Sequence, residues 1–373
     1  MKPIRRPAAA VAVAITATAG LLVGSGISAG AASAATTFIG PLNHETLVAS
    51  TVPASGREAG DVNPYGVAVV PRSTGRLHAG DVLVSNFNNK ANAQGTGSTI
   101  VQVSPRGHQS VFATVPHLGR ACPGGVGLTT ALVTLRGGWV IVGSLPTRKG
   151  TISGPGCLIV LDSHGAVRET FAGHGIDGPW DMTAVNLGRV SELFVTNVLG
   201  GILGKANHHG GTVQRLVLST GRGLPRLLAS TRIGSGFPAR TDPNALVLGP
   251  TGDGFGPNGT LYVADTLDNR IAAIPDAAFR HSDAGPGRTV TRGGALNGEL
   301  GLAIAPNGDI LTVNGADGNI VETTPFGRQV AVKTIDHNSG GGGNLFGLAV
   351  KPGADAVYFV DDFGNDNNLQ LFH

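Results

Sequence analysis

The chain has 373 residues, with 27 Lys and Arg against 24 Asp and Glu and a formal charge of +3. Three of those positives, Lys2, Arg5 and Arg6, fall with no acid in the first 35 residues, so the remainder is formally neutral, has no basic block and is not expected to bind nucleic acid. Its 59 glycines follow no triplet period, which excludes collagen, and 41% apolar residues exclude a disordered chain.

The opening, MKPIRRPAAAVAVAITATAGLLVGSG, is a basic start followed by an Ala/Val/Leu run that leads out through Ala32-Ser33-Ala34. That order predicts a secretory signal peptide over residues 1–35, leaving 36–373 as a single exported domain. No other stretch is long and apolar enough to span a bilayer. HETLVAST, from His44 to Thr51, then stands alone as a strand-like run.

From Pro64 onward one unit recurs six times: a short apolar run, a turn, a second run ending in a polar residue, a Gly-rich turn and a third run. The runs are rich in Val, Ile, Leu and Thr, as strands and hairpins are. The second runs end at Asn86, Ser144, Asn197, Asp265, Asn314 and Asp361, at intervals of 58, 53, 68, 49 and 47 residues. The first runs are GVAVVP, LTTALVTL, DMTAV, ALVLGP, GLAIAP and GLAVKP. Pro-Asn-Gly at 257–259 and 306–308 supplies turn residues that accept positive φ. The polar run ends are expected to accept hydrogen bonds from the backbone of the turn that follows. Helix signals are absent beyond one short turn at PDAAF, Pro275 to Phe279.

Four short antiparallel strands repeating at this length predict an all-β fold, a six-bladed β-propeller of four-stranded blades. One such sheet cannot bury both faces alone, so the blades must stack around an axis. The sixth unit stops at NLQLFH without a fourth strand, and His44–Thr51 is a strand without a unit. The early run is therefore expected to complete the last blade and close the ring. Cys122 and Cys157 both fall in the second unit, at positions that lie on one end of the ring; export permits a disulfide between them that clips a loop.

The units resemble NHL repeats and the gluconolactonase-like six-bladed group around them. GTLYVADTLDNRIAAI, Gly259 to Ile274, matches best, followed by GLAIAPNGDILTVNGADGNIV and by NPYGVAVVP with GDVLVSNFNN; the second and third units match in outline. The resemblance implies architecture more than activity, because this shape carries lyases, lactonases and binding modules alike.

In that group the ligand position is the mouth of the central channel, where the first strands begin. The residues just before those strands are Tyr65, Val126, Trp180, Asn244, Leu300 and Phe346, with Asp181 and Glu299 beside them. A metal-dependent lactonase of this group holds Ca²⁺ or Zn²⁺ there with carboxylates and amides, and a hard cation needs several oxygens. Only Asn244 stands in the ring in that manner, with Glu299 adjacent. A propeller lyase would instead use histidines, for which His117, His174 and His337, all between blades, are the candidates. No G-x-S-x-G, Walker or dinucleotide glycine pattern occurs. The remaining reading is an exported, monomeric binding or scaffold module for a small molecule, peptide, glycan or extracellular protein. In it Tyr65, Trp180 and Phe346 either line an apolar pocket or plug the channel.

Overall fold

Six antiparallel sheets follow one another around a ring in the computed structural model, which describes residues 37–56, 58–148, 150–198, 207–221, 223–242, 245–337, 344–362 and 366–373. The expected signal peptide lies outside the described residues. Blade one comprises Val62–Val69, Val82–Asn88, Thr99–Val103 and Gln109–Thr114. Blade two comprises Leu132–Thr134, Val140–Ser144, Cys157–Leu161 and Val167–Ala172. Blade five is Glu299–Ile304, Ile310–Asn314, Asn319–Thr323 and Gln329–Thr334. Each is a consecutive meander, so successive second and third strands sit in the middle of a sheet, buried on both faces, as their unbroken Val, Ile and Leu demand. The first strand of each blade touches those of its two neighbours, and blade one touches both two and six, so the ring is closed. Among the described residues no helix is long and apolar enough to cross a membrane.

The sixth blade is completed as the sequence predicts. Leu345–Val350, Val357–Asp361 and Asn368–Phe372 are joined on the outer edge by Glu45–Ser50, with Glu45 opposite Phe372 and Ser50 opposite Asn368. The apolar core lies between blades rather than at one centre. Phe38, Ile39 and Leu42, upstream of that outer strand, pack with Leu311, Ile320, Leu345 and Phe359 of blades five and six. Cys122 and Cys157 form a disulfide with Cα atoms 5.5 Å apart, buried among Phe112, Ile100 and Leu132.

Blades three and four differ from the sequence reading. Blade three has five strands: Pro179–Leu187, Val190–Asn197, Asn207–Ser219, the 17-residue Arg226–Asp242 and Leu246–Leu248. The run ALVLGP, expected to open blade four, is thus an outer addition to blade three, pairing Leu248 with Arg240. Blade four opens instead with Pro250–Phe255, then Leu261–Asp265, Arg270–Ile274 and Arg288–Arg292. The long fourth strand of blade three overruns the sheet and turns back on itself, and it consumes the apolar run on the way.

The polar ends of the second strands are buried, but they fasten the incoming segment more than the following turn. Asn197 accepts from the N–H groups of Asp177 and Gly178, and Ser144 Oγ accepts from Gly127 N–H. Asn86 donates to Thr51 O, and Asn314 to Ala295 O. Asp265 binds Arg270 through Nε at 2.8 Å and Nη2 at 2.6 Å, an ion pair shut off from solvent. Asn86, Ser144, Asn197 and Asn314 thereby hold the segment that leads into their own blade's inner strand, and Asp265 fixes the start of its blade's third strand.

Candidate functional site

The inner strands approach one another closely because four of the six carry a glycine near their start. A Cβ on Gly66, Gly252, Gly301 or Gly347 would collide with the backbone of the neighbouring blade's inner strand. Gly66 is held there by Ser85 Oγ accepting its N–H, and in blade three the same bond runs from Asp181 N–H to Thr196 Oγ1. Asp181 therefore occupies the glycine place, with a carboxyl where four other blades have hydrogen. Asp253, in the next blade, pairs with Val263, the register step that holds Val67, Leu302 and Leu348 elsewhere. Two acids on adjacent inner strands thus stand where the repeat puts glycine and an aliphatic residue.

Above them, at the end where the inner strands start, the channel is roofed. Tyr65 and Trp180 are 1% and 4% exposed, and the Trp180 indole N–H donates to the Tyr65 hydroxyl at 2.8 Å. Phe346 lies 5.4 Å from the Tyr65 ring centroid, and Phe87 packs on both at 6.3 and 6.4 Å. Leu128, Leu145, Val198 and Val247 seal the periphery. Of the two roles open to these aromatics in the sequence, the geometry is that of a plug. The corresponding places in blades two and four are held by Thr130 and Thr251, both buried, in place of Val126 and Asn244. Val126 is half-buried against the disulfide cluster, and Asn244 lies outside the described residues.

Below the roof the channel holds an open-ended cavity of about 330 Å³. Its walls come from all six inner strands: Val67, Leu132, Met182, Phe255, Leu302 and Leu348 among others, with Asp181 and Asp253 the two acids. Thr183, Ala184, Phe255 and Ile304, toward the strand ends away from the roof, are part-exposed, as are Val67 and Asp181. Asp253 is 4% exposed and neither of its carboxylate oxygens has a hydrogen-bond partner. Burial pushes its pKa well above the ordinary range, and the Asp181 charge adds to this. Burial likewise raises Asp181 to about 7, against the Met182 N–H that its Oδ1 accepts at 2.8 Å. Burial thus favours the neutral form of both carboxyls.

Glu299, expected beside the mouth, lies instead in the gap between blades four and five. It is fully buried, its Oε1 accepts Arg270 N–H at 2.7 Å, and burial pushes its pKa up to about 9. Thr251 and Thr266 donate to its backbone carbonyl, so the residue ties two blades together. The histidine set does not form. His117, His174 and His337 are exposed, and among the described residues no three His, Cys, Asp or Glu side chains are grouped to hold a metal ion. His337 faces Glu45 at 3.1 Å, and the His117 ring accepts Gly119 N–H. The donors at the mouth do not fit a hard cation either, because its places are aromatic, aliphatic or threonine, and the Thr251 hydroxyl is spent on Thr266 and on blade five. Asp253 was missed in the sequence; Gly-Asp-Gly reads there as a turn.

No family model matches the chain, and comparison with curated proteins returns no match. Solved structures do resemble it. A gluconolactonase from Xanthomonas campestris is 11% identical, with 89% of this chain and 93% of that one covered at a TM-score of 0.54. A calcium-binding regucalcin from Agrobacterium tumefaciens is 15% identical over 87% and 95% of the two chains, at 0.51. The PQQ-bound form of an aldose sugar dehydrogenase from Streptomyces coelicolor is 13% identical over 88% and 97%, at 0.54. At these identities the likeness is one of fold.

Proposed function

We propose that the mature chain is an exported, monomeric binding module that takes a small molecule into its central channel from the end opposite the aromatic roof. The observation that carries this reading is the pairing of an aromatic roof (Tyr65, Trp180 and Phe346) with an open-ended cavity whose buried Asp253 has two unpartnered oxygens. The cavity lies within the size range of small-molecule pockets and brings Asp181 and Asp253 together with aliphatic and aromatic side chains. Export is supported by the basic, apolar and small-residue order of the first 35 residues and by the Cys122–Cys157 bond.

The test is a thermal-shift screen of the purified protein against small molecules and short peptides, repeated on Ala184→Trp, which fills the open end. Ligands that stabilise the parent and not the variant are expected. Stabilisation indifferent to the block would place binding elsewhere and defeat the reading. A second reading, proton-transfer catalysis of a lyase or lactone-hydrolase type, is favoured by the placement of Asp181 and Asp253 on adjacent inner strands lining the cavity, where burial raises Asp181 to about 7, in the range a general acid or base uses. Turnover of a lactone panel that is abolished in Asp181→Asn would establish it.

A further inference from the structure

Asp253 has no compensating charge. Among the described residues no Arg, Lys or His is bonded to it or to Asp181, and its two oxygens accept nothing. A carboxylate desolvated to this degree is costly unless something pairs with it. The unpartnered acceptors are Asp253 Oδ1 and Oδ2, in a cavity that Asp181 also lines and whose other walls are aliphatic and aromatic side chains with Thr134 and Thr183. A primary ammonium has three N–H donors and no acceptor. A hard metal ion would require six or more oxygens, and no such cage is present among the described residues. An anion would bring no donor to these oxygens, and a hydrocarbon chain would leave them unpaired.

We infer that the channel binds a small organic ammonium ion, its head between Asp181 and Asp253 and its hydrocarbon part against Val67, Leu132, Met182, Phe255 and Leu302. This rests on the channel being the binding site, as proposed above, and it supplies the chemical class of the ligand. Binding draws both carboxyls toward their charged forms, so protons held on them are released to solvent as the ammonium enters.

The experiment is calorimetric titration of the purified protein at pH 7 with hexylammonium chloride, with 1-hexanol, sodium hexanoate and calcium chloride as parallel arms. Saturable one-to-one binding of hexylammonium is expected, with proton release that shows as a dependence of the heat on buffer ionisation enthalpy. Hexanol and hexanoate are expected to give none. Asp253→Asn, which is isosteric with the protonated acid, should weaken binding at least tenfold, and Ala184→Trp should abolish it without touching either acid. The inference is overturned if hexylammonium does not bind, if hexanol binds as well, if calcium saturates the site and excludes it, or if a folded Asp253→Asn binds unchanged. Should Asp253→Asn not fold, the hexanol and hexanoate arms on the parent protein still decide. A screening ligand blocked by Ala184→Trp but indifferent to Asp253→Asn would overturn the ammonium inference and leave the channel reading standing.

Discussion

Single side chains in this ring are set by whether the repeat lets them face a neighbour blade or the axis. Glu299 shows the first case: its carboxyl is caught between blades beside the Asp265–Arg270 pair, and burial lifts its pKa from 4.5 to about 9. A carboxyl whose pKa is higher folded than unfolded binds its proton more tightly in the native state. Its contribution to stability is therefore complete below about pH 4.5 and drains away as the pH rises through 9. Asp181 acts in the same sense over a lower window, from its ordinary 3.8 to about 7. The melting temperature is accordingly expected to fall from pH 5 toward pH 9.5. Glu299→Gln keeps an acceptor for Arg270 N–H and cannot ionise, so it should flatten the part of the decline above pH 7. Melting curves of both proteins across that range decide it, and parallel profiles would assign the alkaline loss to other groups.

Whole strands were legible where alternation and anchors agreed, and illegible where glycine replaced them. Asn86, Ser144, Asn197, Asp265, Asn314 and Asp361 mark the second strands: four of them, Asn86, Ser144, Asn197 and Asn314, hold the segment that enters their own blade's inner strand, and Asp265 holds Arg270 of its third strand, demands that leave a polar residue after an apolar run. The inner strand of blade four, Pro250–Phe255, has no such mark. Its Thr-Gly-Asp-Gly is poor in strand formers and suits a turn, while the apolar ALVLGP just upstream outbid it, so Asn244 stood in the ring and Asp253 went unseen. Cysteine placement, by contrast, was readable, since an antiparallel meander fixes which ends of strands share a side. The disulfide closes a separation of 35 residues between a loop and the strand Cys157–Leu161, which on chain-entropy grounds stabilises by about 4 kcal/mol. Urea unfolding of a Cys122→Ser/Cys157→Ser variant should show a loss of about that size against the oxidised parent, with the slope changed because the unfolded chain is no longer tied. An unchanged midpoint would mean that packing around Phe112 and Leu132 holds the loop by itself.

A propeller has no seam-free topology of its own; something must join the last blade to the first segment of the chain. Here Glu45–Ser50 pairs with Asn368–Phe372, and His44 and His373 exchange backbone hydrogen bonds just beyond. The clasp extends upstream, where the Glu322 carboxylate of blade five accepts the N–H groups of Phe38 and Ile39 at 2.7 and 2.8 Å. Phe38, Ile39 and Leu42 then fill the wedge between blades five and six. The terminal segment thus binds two blades at once, one by an outer strand and one by a charged grip, so the ring cannot open at that place without losing both. Deleting residues 37–43 while keeping the outer strand isolates the second contribution. Three side chains lose their burial and Glu322 loses two charge-assisted bonds, on the order of 5 kcal/mol together. That is a large share of the stability of an ordinary domain, and the expected outcome is a protein that melts well below the parent and is cut by protease near the clasp. Glu322→Gln tests the grip alone, since it keeps one acceptor and removes the charge, and it should cost a fraction of the deletion. Parent-like melting of the deleted protein would show that strand pairing with Asn368–Phe372 closes the ring unaided.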